Sequence, residues 1–115
     1  MSRAALYIVS TPIGNLDDSS KRMLEILADA DVIAAEDTRR AGQLLSRYGI
    51  KARKLISYYD QVEKQKAPEI VARMLEEESR VALISDAGTP CVSDPGFRLV
   101  AAAREKGIPV IPIPG

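Results

Sequence analysis

Three polar segments of this chain hold the side chains that could do chemistry, and each follows a short apolar run. The longest is Asp86-Ala87-Gly88-Thr89-Pro90-Cys91-Val92-Ser93-Asp94-Pro95-Gly96, placed directly after an apolar run that ends at Ser85. It is long for a connection inside a compact domain, and such loops often carry function. Its small residues let a ligand approach the main chain closely. Asp86 can accept hydrogen bonds from a ligand amine or hydroxyl. A structural reading stands beside this one, a rigid turn in which Asp94 caps the following helix. The composition favours the cap for Asp94 and a ligand-facing role for residues 85 to 89.

The second segment is Glu36-Asp37-Thr38-Arg39-Arg40. Acids ahead of a helix stabilise its amino terminus, so Asp37 or Thr38 can simply be a cap. The alternative sets Arg39 or Arg40 against a phosphate and a carboxylate near a substrate hydroxyl. The third segment, Ser10-Thr11-Pro12-Ile13-Gly14-Asn15-Leu16, is no phosphate loop. It lacks the Gly-Lys-Ser/Thr ending and the Gly-x-Gly-x-x-Gly spacing of dinucleotide sites. Alone it also reads as an ordinary strand-to-helix turn.

Other chemistries are poorly supplied. The chain has no histidine, the commonest general base and metal ligand, and a single cysteine. A zinc site and a cysteine–histidine nucleophile are therefore not expected, and no metal is assigned. No internal disulfide can form, which fits a reducing compartment.

The elements that must position these segments follow from hydrophobic spacing. Ala5 to Val9 reads as a buried strand, and Ser19 or Ser20 caps a helix to about Ala28 with Met23, Leu24 and Leu27 on one face. Val32 to Ala35 is the next strand. Thr38 to Tyr48 is helical, with Ala41, Leu44, Leu45 and Tyr48 as its stripe and Gly49 as its left-handed terminus. Lys54 to Ser57 is a short strand. Pro68 suits the first turn of a helix carrying Ile70, Val71, Met74 and Leu75; the alternative is that this helix begins earlier, near Gln61, with a break before the proline. Arg80 to Ser85 is the clearest strand. Asp94-Pro95 opens a helix to about Lys106 that stops at Gly107, and Ile108 to Ile111 is the last strand. Pro112-Ile113-Pro114-Gly115 has turn composition, as at a domain boundary.

Alternation of strand and helix, with near-continuous apolar strands, predicts an α/β fold: a three-layer αβα arrangement around a five-stranded, mainly parallel sheet. In such sheets ligands bind outside the carboxyl ends of the strands, where all three polar segments fall.

At 115 residues, 46% apolar and 28% charged, the chain is one globular domain able to bury a core unaided. Its formal net charge is zero, so total charge does not advertise a nucleic-acid partner. Basic residues nevertheless gather at Arg39-Arg40, Lys51 to Lys54 and Lys64 to Lys66; the last two clusters read first as solvated faces. The apolar run Ala4 to Val9 is too short for a signal-peptide core, and nothing approaches a membrane span. A cytoplasmic location without membrane association is expected.

The motifs Thr11-Pro12-Ile13-Gly14-Asn15-Leu16 with Asp18, Ala35-Glu36-Asp37-Thr38-Arg39, and Ser85-Asp86-Ala87-Gly88-Thr89-Pro90 with Ser93-Asp94-Pro95-Gly96 together resemble the ribosomal-RNA methyltransferases of the tetrapyrrole methylase superfamily. Three motifs in order over almost the whole chain make the resemblance specific. It implies an amino-terminal cofactor-binding domain over residues 1 to 115, with a second α/β domain and the remaining cofactor segment beyond Gly115. It implies S-adenosylmethionine as cofactor and the 2′-hydroxyl of a cytidine ribose in small-subunit (16S) ribosomal RNA as acceptor. Pro12, Ile13, Ser85, Asp86, Ala87, Gly88 and Thr89 would line the cofactor. Without histidine, Glu36 and Asp37 are the candidate bases, and Arg39 and Arg40 would face the RNA. The partner would be the small-subunit RNA or the ribosomal subunit, and surface meant for the second domain could also pair two copies as a homodimer. On this reading the domain alone is inactive. Two alternatives remain: a methylase of a tetrapyrrole, against which the first loop lacks the expected Gly-x-Gly-x-Gly pattern, and a non-catalytic nucleotide-binding domain.

Overall fold

The computed structural model describes residues 3–10, 21–58, 60–85 and 97–113. Strand and helix alternate as expected: β1 (Ala5–Ser10), α1 (Lys21–Asp29), β2 (Val32–Ala35), α2 (Thr38–Arg47), β3 (Leu55–Ser57), α3 (Asp60–Glu77), β4 (Arg80–Ser85), α4 (Phe97–Glu105) and β5 (Val110–Ile113). The five strands form one sheet in the order β3-β2-β4-β1-β5, and every pairing is parallel.

Side chains along each strand point alternately to the two faces, and both faces are covered, so the strands are apolar throughout. On one face Leu6, Ile8, Ala34, Val81 and Leu83 pack against Ala67, Val71 and Met74 of α3 and Leu99, Val100 and Ala103 of α4. On the other, Val9, Ile33, Ala35, Ala82 and Ile84 pack against Met23 and Leu27 of α1 and Ala41, Leu44 and Leu45 of α2. Right-handed crossovers dictate this division. The chain steps in one direction along the sheet through α1 and α2, and returns through α3 and α4.

Three helices end in one hydrogen-bond pattern. The N–H of Ile50 donates to Leu45 O at 2.8 Å, that of Ser79 to Met74 O at 3.1 Å and that of Ile108 to Ala103 O at 2.9 Å. This terminus needs a residue in the left-handed region just before the donor. Gly49 and Gly107 supply it with φ of 67° and 77°, whereas after α3 the position is Glu78 with φ of 52°.

Two sequence expectations are corrected. Pro68 does not open a helix: the start near Gln61 is the one that agrees with the structure, but α3 runs unbroken from Asp60 to Glu77 with the proline inside it. Pro68 is exposed, so the Lys64 carbonyl that loses its N–H partner there can turn to water. The last strand is Val110–Ile113, two residues later than its apolar run suggested. Pro112 sits within it opposite Ile8, which is permitted because β5 is the sheet edge and the missing N–H falls on its outer side.

Candidate functional site

β4 is the middle strand, and its carboxyl end is flanked by those of β1 and β2. Ser85 stands opposite Ser10 and Ile84 opposite Ala35. The three polar segments singled out in the sequence therefore depart from three adjacent strand tips, about 5 Å apart strand to strand. The helices that follow β1 and β2 lie on one face, and the helix that follows β4 lies on the other. In open parallel sheets, the place where neighbouring strands lead to helices on opposite faces is the usual ligand position. Of the expected cofactor-lining residues, Ser85 ends β4 at this position. Pro12, Ile13, Asp86, Ala87, Gly88 and Thr89 lie outside the described residues, as do Asp94 and Pro95.

The second segment is described in full. Asp37 is the N-cap of α2: its backbone is extended, with φ of −115° and ψ of 99°. Its Oδ1 accepts from the backbone N–H groups of Arg39 at 3.0 Å and Arg40 at 3.2 Å. One carboxylate oxygen thus satisfies two of the donors that every helix leaves unpaired at its start, and its charge lies at the positive end of the helix. Glu36, one residue nearer β2, is exposed and makes no hydrogen bond or ion pair among the described residues. Arg39 and Arg40 are exposed in the first turn of α2. Glu36, Asp37, Arg39 and Arg40 are thus grouped at the β2 tip, beside the end of β4.

The sequence reading missed the residues at the end of β3. Tyr58 follows that strand, is completely buried, and donates its N–H to Ala35 O at 2.8 Å. Lys66, half-buried on α3, donates Nζ to Ser57 O at 2.8 Å. Lys66 therefore fastens α3 to the tip of β3 and is not a solvated charge. Its signal in the sequence was a lysine one residue before the buried Ala67, on the sheet side of α3. Asp31 was also missed. It ties the amino ends of β2 and β4 together by accepting from Arg80 N–H at 2.9 Å through Oδ2 and from Arg53 Nη1 at 3.1 Å through Oδ1. Arg80 also pairs with Asp29. These contacts hold the end of the sheet opposite the carboxyl tips of the strands.

Among the described residues no group of three or more metal-binding side chains is assembled, and no helix is long and apolar enough to cross a membrane.

Known proteins match this chain along nearly its full length. A family model described as tetrapyrrole (corrin/porphyrin) methylases matches residues 5–115. A relative from Haemophilus influenzae named ribosomal RNA small subunit methyltransferase I is 56% identical over 110 residues, which is 96% of this chain and 38% of the relative. A protein of the same name from Escherichia coli O157:H7 is 54% identical over 99% of this chain and 39% of its own length. This chain therefore spans somewhat more than a third of those relatives. Among solved structures, a uroporphyrin-III C-methyltransferase from Thermus thermophilus superposes with a TM-score of 0.67 at 26% identity, covering 98% of this chain and 48% of that one. A cobalt precorrin-4 methyltransferase gives 0.74 at 19% identity over 98% of this chain and 46% of that one, a likeness of fold alone.

Proposed function

The chain belongs to the tetrapyrrole (corrin/porphyrin) methylase family, and from that premise we propose that it is the cofactor-binding part of an S-adenosylmethionine-dependent ribosomal RNA methyltransferase. The acceptor in this reading is the 2′-hydroxyl of a cytidine ribose in small-subunit RNA. The observation that carries it is identity above one half, over nearly the whole chain, to relatives named ribosomal RNA small subunit methyltransferase I.

When bound, S-adenosylmethionine supplies an electrophilic methyl group on sulfur, so most of what the chain must add is position. The described residues fit such a ligand in one respect: the tips of β1 and β4 stand side by side, with their helices on opposite faces. In this reading Pro12 and Ile13 after β1, and Ser85, Asp86, Ala87, Gly88 and Thr89 at and after β4, line the cofactor. The small residues among them admit the ligand to the backbone.

A ribose hydroxyl is a weak nucleophile until a base shares its proton. Glu36 is the better candidate within this chain, because one oxygen of Asp37 already serves two backbone N–H groups. Asp37 would then act through the helix it caps, fixing the turn that carries Arg39 and Arg40 toward the RNA phosphates.

The test is methyl transfer by the enzyme at its relatives' full length. Purified small ribosomal subunits and a porphyrin precursor are offered separately, and the methylated product is mapped by nuclease digestion and mass spectrometry. Label on a cytidine ribose supports the proposal. Label on the macrocycle alone, or on a base, overturns it.

A further inference from the structure

The charges of this chain are unevenly placed. Residues 38–59 hold six basic side chains, Arg39, Arg40, Arg47, Lys51, Arg53 and Lys54, and no acidic one. Everything outside that stretch carries ten basic and sixteen acidic residues, so a zero total conceals a strongly basic segment. The fold turns the segment into a surface. It comprises α2, the connector that follows, and β3, which pairs with β2 and is the sheet edge opposite β5. All six basic residues are exposed, and the three on α2 lie outside the apolar stripe Ala41, Leu44 and Leu45 that faces the core.

Their placement is also directional. Arg39 and Arg40 stand at the start of α2, beside the β2 tip and the candidate site. Arg47 is two turns further along, on the stripe of Arg40 and about 10 Å from it by helical rise. Lys51, Arg53 and Lys54 continue to the amino end of β3, the far end of the sheet. Between the arginines the helix surface is Gln43 and Gly42, and a Cβ built on Gly42 would meet nothing within 4 Å. A polyanion could thus lie close along the helix.

We propose that this α2–β3 edge binds the phosphate backbone of the substrate RNA outside the target nucleotide, and leads it toward the strand tips. The proposal rests on the ribosomal RNA reading above. A membrane or protein partner would want apolar anchors as well as charge, and the one large apolar side chain exposed among the described residues, Leu75, is on α3. Arg53 is partly spent on Asp31; Lys54 shares a pocket with Asp31, Glu69 and Glu77 on the α3 side of the edge but forms no ion pair with them, so Lys51 and Lys54 are probed together.

The experiment measures binding of small-subunit RNA to the full-length enzyme between about 50 and 200 mM salt, for wild type, Lys51→Gln/Lys54→Gln and the control pair Arg104→Gln/Lys106→Gln on the end of α4. Each phosphate contact contributes roughly −0.7 to −0.9 to the slope of log affinity against log salt. The Lys51/Lys54 pair should therefore flatten the slope by about 1.4 to 1.8. Its deficit should be on the order of a hundredfold at about 50 mM salt and shrink about ninefold, to roughly tenfold, at about 200 mM. The control pair, equal in charge removed, should leave the slope near wild type, and circular dichroism should show both variants folded. An unchanged slope in the Lys51/Lys54 variant, or an equal loss in the control, overturns this inference and leaves the methyltransferase reading standing. Wild-type enzyme that binds no RNA at any salt overturns both. Binding of acidic vesicles or acidic proteins in place of RNA would assign the edge to another partner and overturn the inference.

Discussion

Asp37 can be asked which of its two possible roles it plays, because asparagine separates them. Its Oδ1 accepts from two backbone N–H groups at 3.0 and 3.2 Å. Removing the acceptor with Asp37→Ala hands both donors to water, since the site is exposed, and the usual cost of losing such a cap is about 1 kcal/mol. For a domain between the small and middle size classes, that lowers the melting temperature by about 4 °C. Asparagine caps nearly as well as aspartate. Asp37→Asn gives up only the charge at the helix start, about 0.3 to 1 kcal/mol and less in salt. The expected order of stability is wild type, then Asn, then Ala, measured by thermal and urea unfolding. An asparagine variant as unstable as the alanine variant would refute the capping account. Methyl transfer by the full-length Asp37→Asn enzyme then reads the chemistry. A rate near wild type, at unchanged cofactor affinity, confines Asp37 to positioning. A fall of about a hundredfold or more would make its charge part of the reaction.

Glu36→Gln should slow methyl transfer by about 10²-fold or more while leaving the melting temperature within about 1 °C, because its carboxylate caps nothing; the readout is single-turnover rate beside a thermal melt. Glu78→Gly should stabilise the protein by up to about 1 kcal/mol, since a left-handed residue follows α3 where the other two such helix ends use glycine; a lowered urea midpoint would contradict this. Gly42→Ala, in the interior of α2 with open space around its Cβ, should raise stability by about 0.5 to 1 kcal/mol, and a loss on the same urea curve would reveal an unseen neighbour. Leu83→Ala empties a buried position on the central strand and should cost about 2 to 5 kcal/mol in the same experiment.

Much of the architecture was legible because the apolar runs carry it. Leu6, Ile8, Val81 and Leu83 face one helical layer while Val9, Ala82 and Ile84 face the other. Only a sheet covered on both sides asks for such runs, so fold class and element order could be read directly. Residues whose meaning depends on a distant neighbour could not. Pro68 is a helix-start signal locally, but the buried contacts of Ala67, Val71 and Met74 hold α3 through it. Pro112 is a turn signal locally, but an edge strand accepts it. Lys66 looked solvated until the tip of β3 came to lie against it.

The candidate site divides the same way. That Glu36 through Arg40 and Ser85 belong together could be argued from motif and strand end alone, since parallel strands bring their carboxyl tips to one side. The strand order decides which tips are neighbours, and no local pattern contains it. Because β4 is inserted between β1 and β2, its tip at Ser85 has the tip of β1 at Ser10 on one side and that of β2, followed by Glu36-Asp37, on the other. A sequence-adjacent order would have separated them: with β1 next to β2 and β4 beyond β3, the tip of β4 would stand between those of β3 and β5. That the β4 tip lies beside Glu36-Asp37 is thus a consequence of crossovers that skip a strand. These in turn need helices on both faces, which the two-sided apolar strands provide.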